Sequence, residues 1–171
     1  MTYSSFDDTY ATNTEKTAFL VPENATEMAF VATAPDSSTQ WIITGYDDAD
    51  QSATVVGMKD GANVANVTLT KAGNTLVYSN TNQQNAVNMR TNVKAHTYKQ
   101  GGKYKVAKED NLVKFYYHDG NDYVEWFNID TTKTPTANTG TLTHKTVRFG
   151  MLGGVSAVGG NTLLQDVQIL K

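Results

Sequence analysis

The chain contains no cysteine. That excludes a disulfide framework and any mechanism that needs a thiolate, while leaving the compartment open. Its three histidines, His96, His118 and His144, are scattered with no His-x-x-x-His pair, so neither a structural nor a catalytic zinc site is expected. No uninterrupted apolar stretch approaches the roughly 20 residues of a membrane helix. The start, MTYSSFDDTY, lacks a charged segment followed by an apolar run, so no signal peptide is expected. Long basic runs are missing too: 14 Lys and Arg stand against 17 Asp and Glu, for a net charge of −3. Duplex nucleic acid is therefore not expected as a partner. The glycines at 150, 153 and 154 open no helix after a strand, which leaves a phosphate loop unsupported. No stretch sustains a period of 3.6, so helices are not expected to carry the fold.

What remains is a pattern of short strands. The 171 residues suit one domain with a sizeable core. Apolar runs and alternations predict strands over Thr17 to Val21, Met28 to Ala32, Gln40 to Gly45, Thr54 to Met58, Val64 to Thr70 and Thr75 to Tyr78. Gly-Asn and Asp-Gly pairs between them supply the residues that tight turns require. Ala86 to Val93 reads as a half-buried strand with Val87, Met89 and Val93 inward and Asn88, Arg90 and Asn92 outward. Both faces of the Trp41 strand are apolar, which leaves the side of Trp41 open. Val147 to Met151 predicts a further strand, and in the last one Val167 and Ile169 face the core. Strands recurring at roughly ten-residue spacing with turn signals between them point to an all-β antiparallel sandwich or barrel.

The segment from Tyr104 to Asp130 is the most informative. A tight turn at Asp110-Asn111 pairs Val106 with Phe115, Lys105 with Tyr116 and Tyr104 with Tyr117. A turn centred on Asp119-Gly120 then pairs Tyr116 with Tyr123, Phe115 with Val124, Lys114 with Glu125 and Val113 with Trp126. Both hairpins sort the same residues to the same faces. Tyr104, Val106, Val113, Phe115, Tyr117, Val124 and Trp126 form a core face. Lys105, Ala107, Lys114, Tyr116, Tyr123 and Glu125 form the other, which is polar yet carries tyrosines.

The order VKFYYHDG (113 to 120), YVEWFNI (123 to 129), VRFG (147 to 150) and LQDVQI (164 to 169) resembles the concanavalin A-like lectin/glucanase superfamily, including its laminin G-like branch. The resemblance covers the last two fifths of the chain and implies a jelly-roll β-sandwich whose terminal strands lie side by side, the Phe6 region against Val167 to Leu170. Size and composition are also similar to carbohydrate-binding modules of bacteriophage tail and baseplate proteins. The glucanases of that superfamily use an E-x-D-x-E strand, which is absent here. Asp119, Asp122 and Glu125 come nearest in spacing, but they fall in a turn and on opposite faces. Arg90, His96 and Tyr98 faintly echo the residues of jelly-roll polysaccharide lyases, without the Gln-x-His strand that accompanies them.

A non-catalytic module that binds a cell-surface or cell-wall saccharide is the expected function, within a larger extracellular or virion (tail) assembly. Aromatic rings stack on the C–H faces of sugars while planar polar groups hold the hydroxyls. The candidate set is Asn88, Arg90, Lys105, Lys114, Tyr116, Tyr123 and Glu125. No cofactor is required on this reading. A structural calcium could sit on the acidic loop at Asp47, Asp48 and Asp50, or join Asp7 or Asp8 to Asp166 across the paired termini. The alternatives are a structural or protein-interaction sandwich of an adhesin or tail scaffold, whose outer face is held by cross-strand pairs alone, and an unrecognised glycoside hydrolase or lyase.

Overall fold

The computed structural model describes residues 2–8, 17–37, 39–47, 49, 51–72, 75–136, 149–152 and 162–171. Their regular structure is thirteen strands and a single 3-10 turn. The strands are β1 (Thr2–Asp8), β2 (Thr17–Leu20), β3 (Glu27–Val31), β4 (Trp41–Asp47), β5 (Ser52–Gly57), β6 (Asn63–Ala72) and β7 (Thr75–Asn85). They continue as β8 (Arg90–Thr91), β9 (Lys103–Glu109), β10 (Leu112–His118), β11 (Tyr123–Asp130), β12 (Gly150–Leu152) and β13 (Thr162–Ile169). All pairings are antiparallel. One sheet has seven strands in the order β1-β13-β3-β9-β10-β11-β8, and in the other β12-β2-β7-β6-β5-β4 hydrogen-bond round to a closed ring. The protein is thus all-β, with two antiparallel sheets compatible with a sandwich. None of its described helices is long and apolar enough to cross a membrane.

Alternation along the strands builds two cores rather than one. Met28 and Phe30 of β3, Tyr104 and Val106 of β9, Val113 and Phe115 of β10 and Phe127 and Ile129 of β11 meet Ile42, Val56 and Val64 from the second sheet. The intervening residues of that second sheet, Ile43, Val55, Ala65, Val67 and Leu69, form a separate cluster with Tyr46 and Ala53. This is why the β4 strand is apolar on both faces. Trp41 packs against the second cluster, on the same side as Ile43.

Turn chemistry fixes the ends. Asp60 Oδ1 accepts the Ala62 N–H at 2.8 Å in the β5–β6 turn. Gly61 there has φ +64° and lies under the Phe127 ring, where a Cβ would come within 2.5 Å of it. Only glycine satisfies both the backbone and the space.

The β9–β10 hairpin pairs Val106 with Phe115, Lys105 with Tyr116 and Tyr104 with Tyr117, as the tight Asp110-Asn111 turn predicts. The terminal strands also lie side by side, with Tyr3 opposite Val167 and Phe6 opposite Leu164. The second hairpin departs from expectation. Tyr116 faces Glu125, Tyr117 faces Val124 and His118 faces Tyr123, and a bulge then sets Phe115 against Phe127 and Lys114 against Asn128. The cause is a longer turn: Asp119 Oδ1 accepts the N–H groups of both Asn121 and Asp122, at 2.8 and 2.9 Å. A displacement of two residues preserves the faces, so Tyr116, Tyr123 and Glu125 still point outward. The bulge lets the adjacent Trp126 and Phe127 both be buried, because an extra residue in one strand escapes the alternation.

The expected strand over Ala86 to Val93 is not formed. Asn85 Oδ1 accepts the Val87 N–H at 2.9 Å, and Val87–Met89 is a 3-10 turn followed by the two-residue β8. Met89 is buried, but Val87 and Val93 are 48% and 54% exposed. The apolar residues that suggested a period of two therefore share no face. Of the predicted strand Val147 to Met151, residues 147 and 148 lie outside the described residues.

Candidate functional site

The outer face of the seven-stranded sheet is built in rows by the register. In one row Ala29, Lys105, Tyr116 and Glu125 stand side by side across β3, β9, β10 and β11. In the next, Glu27, Ala107, Lys114 and Asn128 do the same. A third row holds Val31 beside Lys103, and His118 beside Tyr123. Short side chains at 29 and 107 leave the longer ones room to lie across the sheet.

Lys105 is the centre. Its ammonium lies 4.3 Å from the centre of the Tyr116 ring and 5.2 Å from that of Tyr123, and it pairs with Glu27 at 3.0 Å. Glu27 also meets the Lys171 ammonium at 3.7 Å. Both tyrosines are half-buried. Burial pushes the Tyr123 hydroxyl above its ordinary range, and burial followed by the Glu125 charge does the same for Tyr116. Each phenol stays neutral at ordinary pH, able to donate and accept. Glu125 accepts from Asn92 Nδ2 at 2.6 Å and from Asn128 Nδ2 at 2.8 Å. Burial acts to raise its carboxyl, but these bonds outweigh it and hold the group below the usual glutamate range. Beside Tyr123 a hollow of about 160 Å³ opens between Val31, Lys103, Asp166 and Gln168.

Of the predicted residues, Lys105, Lys114, Tyr116, Tyr123 and Glu125 share this face. Lys114 pairs with Glu109 at 2.8 Å, not with Glu125, because the longer turn moves Glu125 along the strand. Arg90 and Asn88 do not join them. Arg90 stands opposite the core residue Ile129, and its Nη1 donates to the Asp60 carbonyl at 2.7 Å, which ties this edge to the β5–β6 turn. Asn88 donates to the Thr134 carbonyl. Asn92, Asn128, Lys103 and Glu27 belong to the face without having been in the predicted set. The alternation that reads Asn88, Arg90 and Asn92 as outward and extending this surface does hold for Asn92, which reaches it through Glu125. Glu27 could not, since β3 joins β9 across a long stretch of chain.

The acidic loop is described only in part. Asp47 Oδ1 accepts the Ala49 N–H at 2.8 Å, while Asp48 and Asp50 lie outside the described residues. The terminal pairing sets Asp7 and Asp8 opposite Leu163 and Thr162, displaced along the strand from Asp166. Among the described residues no group of three or more His, Asp or Glu could hold a metal.

Comparison with known proteins gives no further guide, for no family model matches the chain and no curated protein resembles it significantly.

Proposed function

We propose that the outer face of the seven-stranded sheet holds a saccharide of a cell surface or cell wall, and that the protein is a non-catalytic carbohydrate-binding module. The supporting observation is the pair of half-buried tyrosines flanking the Lys105 ammonium on an open sheet face. Rings fixed in this way lose little freedom when a sugar is laid on them. Glu125, Asn92 and Asn128 supply oriented hydrogen-bonding groups at one edge, and Gln168, Asp166 and Lys103 border the hollow at the other. The face is shallow, so single contacts are weak, and a larger extracellular or tail assembly presenting several copies would supply avidity. A jelly-roll arrangement of the two sheets belongs to this reading. Side-by-side terminal strands support it.

Binding rather than hydrolysis suits the carboxylates of the face. Glu27 is ion-paired, and Glu125 is held ionised by two amides. Neither is placed to carry the proton that a glycosidase acid must deliver. A scaffold role is the second reading, favoured by the same Lys105: with its charge met by Glu27 and its stem against two rings, the face is already self-satisfied. A glycan array probed with the intact chain separates the two. Retention of a defined glycan class supports the module, and an array without retained glycan supports the scaffold. Release of reducing ends or unsaturated sugars from cell-wall polysaccharide would instead establish an enzyme.

A further inference from the structure

Where β10 leads into the Asp119 turn, a cleft of about 490 Å³ opens beside Tyr104 and Tyr117, which face the opposite side of the sheet from Tyr116. It was not foreseen from the sequence, and none of the candidate residues lines it. His96 is its floor. The imidazole lies flat on the Tyr117 ring, 4.0 Å between centres and 3° between planes, with its edge to Trp126. His96 Nε2 is 2.9 Å from the Tyr104 hydroxyl, and that hydroxyl already accepts the Lys99 N–H at 3.0 Å. The phenol proton is therefore best donated to Nε2, which assigns the proton of the neutral ring to Nδ1. Among the described residues Nδ1–H has no hydrogen-bond partner.

The rest of the lining is rich in donors. Lys99 and Lys103 are both among the lining residues, and Lys99 is near enough for its charge to act on the His96 ring. His118 Nδ1 accepts the Gly120 N–H at 3.1 Å, which leaves Nε2–H to donate. Asp119 spends Oδ1 on two backbone N–H groups and keeps Oδ2 as an acceptor. The loop that carries Lys99 is pinned before any ligand arrives. Tyr98 donates to the Ala34 carbonyl at 2.7 Å, the Gln100 N–H to Asp36 Oδ1 at 2.6 Å, and the Gly101 N–H to the Ala32 carbonyl at 2.8 Å.

We infer that this cleft is a second binding site, and that it takes an acidic sugar whose carboxylate meets Lys99 and His96 Nδ1–H. The Lys99 charge acts on the His96 ring, and His96 Nδ1–H is unpartnered among the described residues. Lys103 and His118 line the rim beside a single carboxylate, Asp119, so the complementary ligand is anionic and rich in acceptors. The volume is that of a pocket for a small organic molecule, not of a bare ion. The walls are the rings of Tyr117 and Tyr104, and Asp119 Oδ2 is available to a sugar hydroxyl. The site shares Lys103 and His118 with the rim of the outer face, but its contacts at Lys99 and His96 stand whether or not Tyr116 and Tyr123 bind anything.

Titration of the labelled protein with sodium glucuronate, followed through the His96 imidazole by NMR from about pH 5 to pH 8, tests it. His96 titrates below its ordinary range because burial and the Lys99 charge disfavour the imidazolium. Tyr104, Tyr117, Lys103, His118 and Asp119 are the other titratable groups around it. A bound carboxylate offsets that penalty, so glucuronate should raise the His96 midpoint, while methyl glucoside at the same concentration should leave it unmoved. Lys99 is exposed, so Lys99→Glu should fold normally and bind glucuronate about 10- to 100-fold more weakly. Tyr116→Ala/Tyr123→Ala should bind it as the wild type does. The inference is overturned if glucuronate leaves His96 unperturbed, if Lys99→Glu binds it as tightly, or if inorganic phosphate or acetate competes equally well.

Discussion

Single positions in this protein are fixed by two constraints at once, which makes their substitutions informative. At Gly61 a left-handed backbone coincides with a ring in contact, and Phe127 is fully buried and cannot give way cheaply. Gly61→Ala should lower stability by about 1–3 kcal/mol in chemical denaturation, and unchanged stability would mean the turn relaxes elsewhere. Glu125 makes a pH-dependent contribution. Its carboxyl is depressed in the folded state by Asn92 and Asn128 despite the opposing effect of burial. That stability is fully present above the ordinary glutamate range and is lost as pH falls through the depressed value. Between about pH 6 and pH 3 the wild type should therefore lose more stability than Glu125→Gln, measured by denaturant midpoints at each pH. The sidedness of these residues was legible in the sequence, because period-two alternation survives errors in pairing. Their partners were not: Lys114 finds Glu109 and Lys105 finds Glu27, and side-chain reach is not written in spacing.

Among elements, the two hairpins of the β9–β10–β11 unit show what a sequence does and does not encode. The Asp110-Asn111 turn is short and closes with Asp110 at φ 50°, a conformation that Asp tolerates and β-branched residues do not. Asp110→Gly should leave stability unchanged or raise it, whereas Asp110→Val should cost about 1–3 kcal/mol. Thermal melts of the two variants check the pair, and equal midpoints would contradict the backbone assignment. The Asp119 turn looked like a two-residue Asp-Gly connection, but one carboxylate captures two amides further on and lengthens it. No glycine or proline marks the bulge near Phe115 and Trp126, so nothing in the local chemistry announced that Trp126 and Phe127 would both turn inward. The segment from Ala86 misled for a related reason. Its apolar residues alternate, yet Asn85 Oδ1 accepts the Val87 N–H ahead of a 3-10 turn, and Met89 enters the core with Ala86 while Val87 and Val93 stay exposed. The cleft at His96 escaped notice altogether, because it joins a loop to two strands through contacts that no motif carries.

At the scale of the whole molecule, β4 and β5 of the second sheet are buried on both faces. A two-sheet sandwich with one solvated side would make Ile42 matter and Ile43 not; here Ile42 belongs to the core between the sheets and Ile43 to the cluster within the closed ring. Ile42→Ala and Ile43→Ala should each cost about 2–5 kcal/mol, and a near-neutral Ile43→Ala would refute the second core. The seven-stranded sheet presents a polar outer face, where Lys105 lies between Tyr116 and Tyr123. That face is the centre of the functional proposal, and it admits a direct measurement. The wild type and Tyr116→Ala/Tyr123→Ala should be titrated, by calorimetry at equal fold stability, with the glycan that the array selects. The account predicts measurable wild-type binding weakened at least about tenfold in the double variant, about 0.7 kcal/mol or more for each ring removed. Equal affinity in the two proteins would contradict it.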